Sequence, residues 1–334
     1  MTATRKVFDV HMHFPRNWEQ PDDDPTPLVE HLYECAVGAG ITRANFLCGG
    51  RFGISHEDSI AHARRHPDLW IPTAMIDPET TTAARVAELH DMGYAGLKMI
   101  GVLRDYDCPD YFPLYEKAQA LGMPILLHMG VIGGGIDYRI THPRRDPAAL
   151  AGYKRWAQLA KMSRNISAIR MRPFHLDTIA NNFPELRLIG AHLGGTGNYD
   201  EAASVARWRH NVSFDFSGGT TIEQHAVERK LIGHEIGYEK LIFGSDTSPE
   251  KIADHIRRWD TIFDLLDVPA DARERMWWLN GAEVYGEEPV AWLGKRRSPR
   301  KRAPAPITVA AARTRKPPAT KKASRNGKRP SARR

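Results

Sequence analysis

Short apolar runs alternate along this chain with longer segments of mixed polarity. The segments between the runs, such as 79–92 and 113–121, have the spacing of amphipathic helices. Strands that alternate with helices predict a parallel sheet with helical crossovers. Eight such units within residues 1–294 predict an α/β fold of the (β/α)8 TIM-barrel type. The runs that have the length and residue types of buried strands are 6–12, 43–48, 70–76, 94–100, 124–129, 187–192, 211–216 and 240–245.

A doubly wound sheet is the alternative architecture. That fold would require a glycine-rich phosphate-binding loop after the first strand. Residues 11–21 read HMHFPRNWEQP and contain no glycine. The barrel is therefore the preferred prediction.

The connection between the fifth and sixth strands is much longer than the others. It includes VIGGGIDYRITHPRRDP and a helix-like segment at 148–171. Long connections at the C-terminal end of barrel strands usually cover or shape the active site, although a surface excursion would give the same pattern. Residues 275–286 predict a closing helix packed by Trp277, Trp278 and Val284.

Charge is distributed unevenly between two parts of the chain. Residues 295–334 hold 16 of the 47 lysines and arginines and none of the 40 acidic residues, which leaves residues 1–294 with a formal charge of −9. An acidic body disfavours a nucleic-acid-binding barrel. The tail is rich in proline, alanine and basic residues and is predicted to be disordered. It is either an arm for anionic partners, such as nucleic acid, polyphosphate or a membrane surface, or a solvated extension without bearing on catalysis.

Cysteine usage and the N-terminus indicate the compartment. Cys35, Cys48 and Cys108 lie in no paired or CxxC spacing, which argues against a disulfide framework. The N-terminal residues contain no apolar signal-peptide core, and no run approaches the roughly 18 apolar residues of a membrane span. We therefore expect a cytoplasmic protein.

The first strand carries three titratable side chains at alternate positions. In an extended strand, Asp9, His11 and His13 share one face. Val10 and Met12 would then share the other face. Polar groups on one face of an apolar strand are costly to bury unless they are paired or bound to a metal. Two imidazoles in this spacing can chelate one divalent ion, so the strand is a candidate for metal binding.

Three further strands end in a residue type that binds metals. His128 ends PILLH, His192 ends RLIGAH and Asp246 follows LIFGS, each before a loop of small or turn-forming residues. The C-terminal ends of barrel strands gather at the rim where active sites lie. A histidine-rich set with one carboxylate suits Zn²⁺ and tolerates Mn²⁺, Fe²⁺ or Co²⁺. We expect a divalent metal, with Zn²⁺ first and Mn²⁺ as the alternative.

Taken together, these motifs resemble the amidohydrolase superfamily. DVHMH, GMPILLHMG, FPELRLIGAHLGG and LIFGSDTSP match its order and spacing over about residues 6–286. The likeness is closer to the amidohydrolase-related branch, which includes aminocarboxymuconate-semialdehyde and resorcylate decarboxylases. The resemblance implies that His192 orients or deprotonates a metal-bound water and that Asp246 also takes part in proton transfer. The metal ligands that it implies are His11, His13, His128 and Asp246.

Cationic side chains near the strand ends are candidates for substrate binding. Lys98 lies near the end of the fourth strand, Arg104 follows it, and Arg139 lies in the long connection. A bidentate arginine suits a carboxylate, although each arginine could equally be a surface charge. Lys98 could bridge two metals as a carboxylated lysine, contact the substrate or form a structural ion pair. Asp9 is expected to support a ligating histidine rather than to bind the metal.

The sequence-based prediction of function is a metal-dependent hydrolase. A metal-activated water would attack a carbonyl of a small-molecule substrate, for which a carboxylate is a candidate. The alternative is a nonoxidative decarboxylase of an unsaturated or aromatic carboxylic acid, which would use the same residues. A catalytically inactive binding protein is a second alternative, which the complete ligand set disfavours. Proteins of this type often form homodimers, although no sequence feature marks an interface here.

Overall fold

The protein is an eight-stranded parallel barrel. The computed structural model describes residues 5–15, 23–50, 54–132 and 166–288. Within these ranges, each strand pairs in parallel with the next strand along the chain, and each overlaps one of the predicted apolar runs. The strands are β1 Phe8–His13, β2 Arg43–Cys48, β3 Trp70–Ile76, β4 Gly96–Met99, β5 Ile125–Leu127, β6 Leu188–Gly190, β7 Val212–Asp215 and β8 Leu241–Ile242.

Two backbone hydrogen bonds join the first strand to the segment after the last. The Val10 N–H donates to the Phe243 carbonyl at 3.0 Å, and the Asp246 N–H donates to the His11 carbonyl at 2.8 Å. The sheet therefore curls back on itself. This confirms the predicted barrel over the doubly wound alternative, whose sheet stays open.

Helices follow the strands in the chain, and several have clear local causes. The Ser55 hydroxyl accepts the Asp58 N–H and the Thr82 hydroxyl accepts the Arg85 N–H, which caps two helices at their first turns. The predicted helices 79–92 and 113–121 correspond to α3 and α4. The helices are α1 Thr26–Gly38, α2 His56–Ala63, α3 Ala83–Asp91, α4 Phe112–Leu121, α5 Phe174–Asn182, α6 Tyr199–Trp208, α7 Thr220–Glu228, α8 Ile252–Leu265, α9 Ala270–Glu274 and α10 Asn280–Tyr285, with a π-helical turn at Arg275–Leu279.

Apolar side chains form two clusters on opposite faces of the sheet. The larger cluster contains residues of both strands and helices, such as Phe46 and Leu89, and therefore fills the space between them. The smaller cluster contains inward-facing strand residues, such as Leu47 and Leu126, and is joined by Trp278 of the closing segment. The barrel interior is therefore packed with side chains, as is usual for this fold.

The predicted closing helix is present as the π-helical turn followed by α10. Trp277 is buried in the outer cluster and Trp278 in the inner one, while Val284 packs half-buried against the inner cluster. The prediction of a helical segment packed by these three side chains is confirmed.

Strict alternation along β1 is a local prediction that fails. Val10 packs in the inner cluster, whereas Met12 packs in the outer one. The register between β1 and β2 shifts between Asp9 and Met12, so an extra residue is accommodated there. Val10 and Met12 therefore do not share a face, as a regular strand would require.

Several predictions fall on residues outside the described ranges. These are most of the long connection after β5, including Arg139, and the basic tail 295–334. The division of the chain at residue 294 accordingly stays a prediction. Within the described residues, none of the helices combines the length and the apolar character needed to cross a bilayer.

Candidate metal centre

Three donor atoms converge where β1 ends and the chain leaves β8. His13 Nε2 lies 3.4 Å from Asp246 Oδ1, and His11 Nε2 lies 3.9 Å from the same oxygen. All three atoms lie within 4.8 Å of one another. Ligand atoms in a tetrahedral site with bonds of about 2.1 Å are separated by about 3.4 Å. The spacing and the donor types therefore fit a divalent metal ion.

His128 and His192, from the ends of β5 and β6, lie beside this group. His192 Nε2 is 3.2 Å from His128 Nδ1 and 3.8 Å from Asp246 Oδ2. The His192 ring also stacks on His11, with ring centroids 5.1 Å apart. The five residues that the resemblance singled out are thus in one contiguous cluster. Their division into metal ligands and catalytic groups stays a prediction.

Uncommon backbone conformations position two of these residues. The φ angles are 59° at His192, 52° at Leu193 and 39° at Asp246. Residues other than glycine rarely adopt a positive φ, because this conformation costs free energy. Such residues concentrate at functional sites. The hydrogen bond from the Asp246 N–H to the His11 carbonyl holds one of these strained positions against β1.

Asp215 and Ser217 are functional candidates that the sequence analysis missed. Asp215 ends β7 and faces inward because its neighbours Phe214 and Phe216 pack in the outer cluster. Its Oδ2 accepts a hydrogen bond from His11 Nδ1 at 2.8 Å, and the Ser217 hydroxyl lies 2.8 Å from His192 Nδ1. The run NVSFDFSGG carries the same signal as the other strands, an apolar stretch with a polar end followed by glycine.

Burial keeps His13, His128 and His192 neutral at physiological pH. It lowers the pKa of His192 to about 4, and it lowers the pKa of His128 well below the usual value. Neutral imidazole is the form that binds metal ions. The electrostatics of these rings therefore suit the donor role.

Asp246 supplies negative charge to the cluster. Burial alone would raise the pKa of this carboxyl, but its interactions with His11, His13 and His192 hold the pKa well below its usual range. Asp246 is therefore ionised and able to accept a cation or a proton.

Lys98 is a cation inside the barrel. Leu97 and Met99 pack in the outer cluster, so Lys98 points inward, where it is fully buried with Nζ 3.2 Å from His11 Nε2. Burial lowers its pKa to about 8, against the attraction of Asp215 and Asp246. The structure places this substrate candidate in direct contact with His11, one of the predicted metal ligands.

Asp9 is fully buried but does not hold a histidine ring. Its Oδ1 accepts the backbone N–H groups of His11 at 2.9 Å and Ser245 at 3.0 Å. It therefore links β1 to the segment after β8. Asp9 thus contacts His11 through the backbone, whereas the His11 ring bonds Asp215.

Arg104 is held by acidic side chains. Its guanidinium donates to Glu79 Oε2 at 2.7 and 2.9 Å and also pairs with Asp110. Its role in substrate binding stays a prediction, as does that of Arg139.

Comparisons with known proteins place the chain in a family. An amidohydrolase family model matches residues 8–286, so the chain belongs to this family of enzymes. A search of curated proteins finds no match.

Solved structures share the fold at low sequence identity. A 5-carboxyvanillate decarboxylase from Sphingomonas paucimobilis is 15% identical with a TM-score of 0.53, covering 85% of this chain and 99% of that one. A 5-carboxyvanillate decarboxylase from Novosphingobium aromaticivorans, complexed with manganese and 4-hydroxy-3-methoxy-5-nitrobenzoic acid, is 14% identical with a TM-score of 0.55, covering 84% and 96%. A probable 2-pyrone-4,6-dicarboxylic acid hydrolase from Acinetobacter baumannii is 16% identical with a TM-score of 0.57, covering 84% and 99%.

Proposed function

We propose that the protein is a metal-dependent decarboxylase of an unsaturated or aromatic carboxylic acid. This replaces the hydrolase that we expected from the sequence. The observation that carries the proposal is the buried ammonium of Lys98 beside His11, because a cation in this position can pair with a substrate carboxylate. The structural likeness to decarboxylases of carboxylated aromatic compounds supports the same reading.

The site residues would have two roles, holding the metal and transferring a proton, and Asp246 would take part in both. His11, His13, His128 and Asp246 would hold a divalent ion, with Zn²⁺ as our first expectation. Mn²⁺ is the alternative, which gains support from the manganese in the Novosphingobium enzyme. When bound, the ion would supply Lewis acidity that withdraws electron density from an oxygen of the substrate.

Decarboxylation needs a proton at the carbon that loses CO₂. The carbon–carbon bond breaks, its electron pair stays on the ring or alkene carbon, and a proton takes the place of the carboxylate. His192 Nε2 and Asp246 Oδ2 lie 3.8 Å apart, too far for direct proton transfer but close enough for both to contact one water molecule. That water would deliver the proton to the carbon and be reprotonated from solvent. Lys98 would hold the carboxylate until the bond breaks.

Hydrolysis remains the rival function because it would use the same residues. The likeness to the Acinetobacter hydrolase supports it. The two reactions differ in their products, since only decarboxylation releases CO₂ and only hydrolysis incorporates oxygen from water.

The test is a panel of substrates in isotopically labelled form. Carboxyl-labelled 5-carboxyvanillate, the compound in the names of two of the similar structures, would be assayed for labelled CO₂. 2-Pyrone-4,6-dicarboxylate in ¹⁸O water would report hydrolysis. Labelled CO₂ with one deuterium gained from D₂O supports the proposal, and ¹⁸O incorporation without CO₂ release contradicts it.

Metal dependence is tested on the same protein. Elemental mass spectrometry gives the metal content per chain, and a chelator should abolish turnover until Zn²⁺ or Mn²⁺ is returned. His192→Asn should keep the metal and lose most of the turnover. Loss of the metal in this variant would make His192 a ligand instead.

A further inference from the structure

We propose that Asp215 and Ser217 are positioning residues that fix the ring tautomers of His11 and His192. Both rings would then carry their proton on Nδ1 and present an unprotonated Nε2 to the same site. The consequence for turnover rests on the proposed function, but the tautomers themselves do not.

The first step concerns His11. Its Nδ1 lies 2.8 Å from Asp215 Oδ2, and both side chains are at most 1% exposed. Because a carboxylate oxygen accepts hydrogen bonds, the His11 ring must donate from Nδ1. The Lys98 ammonium, which can only donate, lies 3.2 Å from Nε2, so Nε2 carries the lone pair. The same atom lies 3.9 Å from Asp246.

The second step concerns Ser217. Asp215 Oδ1 accepts the backbone N–H groups of His192 at 2.9 Å and Ser217 at 3.1 Å, so this oxygen acts as an acceptor. The Ser217 hydroxyl lies 2.6 Å from the same oxygen. A hydroxyl has one hydrogen, and at this distance it must point to Asp215, since two acceptors would otherwise be in contact.

The third step concerns His192, whose Nδ1 faces the Ser217 hydroxyl. With its hydrogen on Asp215, the Ser217 oxygen offers a lone pair to His192 Nδ1 at 2.8 Å. His192 must therefore carry its proton on Nδ1. Its Nε2 lone pair then accepts from His128 Nδ1 at 3.2 Å, which requires His128 to carry its proton on Nδ1 as well, so the 3.3 Å approach of His128 Nε2 to the Val131 carbonyl is not a hydrogen bond in this arrangement. Asp246 Oδ2 lies 3.8 Å from the same His192 nitrogen.

The same carboxylate also holds the backbone that carries His192. The N–H that donates to Asp215 belongs to a residue with a φ of 59°, so the bond supports a strained turn. Gly218 leaves the room that the ring needs, because a Cβ there would lie 3.0 Å from His192 Nδ1. One inward carboxylate at the end of β7 thus sets the placement and the proton position of a neighbouring histidine.

His11, His192 and Asp215 form a second group of possible metal donors, but their hydrogen bonds indicate a positioning role instead. Their donor atoms lie within 4.8 Å of one another and could in principle hold an ion. The ring protons and the Ser217 hydroxyl occupy that space instead. Metal would bind on the Nε2 side of the rings, where His13 and Asp246 lie.

The test reads the tautomers directly. Protein labelled with ¹⁵N-histidine, in metal-free form, would be studied by long-range ¹H–¹⁵N spectroscopy, with signals assigned through His11→Gln and His192→Gln. We expect both residues to be Nδ1–H in the wild type. An Nε2–H tautomer at either residue would overturn the proposal.

Variants at Ser217 separate positioning from general structural support. Ser217→Ala should shift His192 toward Nε2–H, keep the metal content and lower turnover by about 10- to 100-fold. Ser217→Thr should restore the tautomer and the turnover. An unchanged His192 tautomer in Ser217→Ala, or a threonine variant that behaves like alanine, would overturn the proposal.

Ser59→Ala is the matched control. Ser59 is as buried as Ser217 and its hydroxyl bonds Tyr94 at 2.8 Å. This variant should leave both tautomers unchanged. If it shifts the His192 tautomer as Ser217→Ala does, the effect is general loosening and the proposal fails.

Asp215→Asn tests the carboxylate. An amide that donates to His11 Nδ1 would force the proton to Nε2, as the same substitution does to the catalytic histidine of serine proteases. Metal affinity should fall by about 10- to 100-fold. Unchanged affinity in a folded variant would contradict the proposal. If the asparagine variant fails to fold, the Ser217→Ala and Ser217→Thr variants still test it.

A lack of turnover on every acid tested would count against the proposed function alone, because the spectra need no substrate.

Discussion

Replacing Lys98 by methionine should make the metal-free protein more stable while abolishing turnover. Lys98 is 0% exposed, and its ammonium contacts His11 Nε2 at 3.2 Å. Burial lowers its pKa from 10.5 to about 8, against the attraction of Asp215 and Asp246. The folded protein therefore holds this charge at a cost in free energy, and methionine fills a similar volume without the charge.

The pKa gives the magnitude and the pH dependence of this cost. A pKa lowered from 10.5 to about 8 corresponds to about 3 kcal/mol, at 1.36 kcal/mol for each pH unit. Below about pH 8, the ammonium is protonated in both states and the full cost is present. Between about pH 8 and 10.5, the folded state releases the proton first, so the wild type gains stability as the pH rises. The advantage of Lys98→Met should therefore be about 3 kcal/mol at pH 7 and vanish near pH 10.5.

Urea unfolding of chelator-treated protein at several pH values measures this difference. Lys240→Met is the matched control, because the Lys240 ammonium donates to the carbonyls of Arg209 and His210, each at 2.8 Å. Losing these bonds should destabilise the fold by about 1–3 kcal/mol and leave turnover intact. A Lys98→Met protein that is less stable than the wild type at pH 7, or whose advantage does not change with pH, would refute the reasoning.

Three further outcomes are expected. Asp246→Asn should retain metal at least about tenfold less tightly, as measured by elemental analysis after dialysis, and an active variant with full metal content would contradict the assignment. Gly218→Ala should lower turnover by about 10- to 100-fold, because its Cβ would lie 3.0 Å from His192 Nδ1. Gly219→Ala is the control with positive φ and no described atom within 4 Å of the added carbon, and equal losses in both variants would argue against a steric cause. Truncation after Gly294 should leave turnover unchanged and remove any salt-sensitive DNA binding, whereas a loss of turnover in a folded protein would show that the tail takes part in catalysis.

The barrel was predictable because buried parallel strands consist of nearly continuous apolar residues. The same signal overstates the length of the last strand. Within the run 240–245 the large apolar residues continue to Phe243, but the ladder of β8 ends at Ile242. The Phe243 N–H donates to the Met276 carbonyl of the closing segment rather than to a strand. Apolar runs report burial, and burial continues where pairing stops.

The candidate site was predictable only in part. His11 and His13 were found from their alternate positions on the first strand, and His128, His192 and Asp246 because each follows an apolar run. The fold brings all strand ends to one rim. The shift in register along β1 had no sequence signal, because a bulge depends on how the two strands pair. The sequence also did not indicate which carboxylate would bond the His11 ring. Asp9 lies two residues away and bonds only backbone, whereas Asp215 lies 204 residues away and bonds the ring.

The free-energy cost of burying Lys98 inside the barrel bears on whether the protein is an enzyme. A scaffold that only binds a partner has no need of an ammonium inside the barrel, and replacing Lys98 would relieve about 3 kcal/mol. The strained turns at His192 and Asp246 also lower the stability of the folded state. Proteins keep such destabilising groups mainly where activity needs them. The buried Lys98, the two strained turns and the complete set of donor atoms therefore argue together against the inactive binding protein and for a working active site.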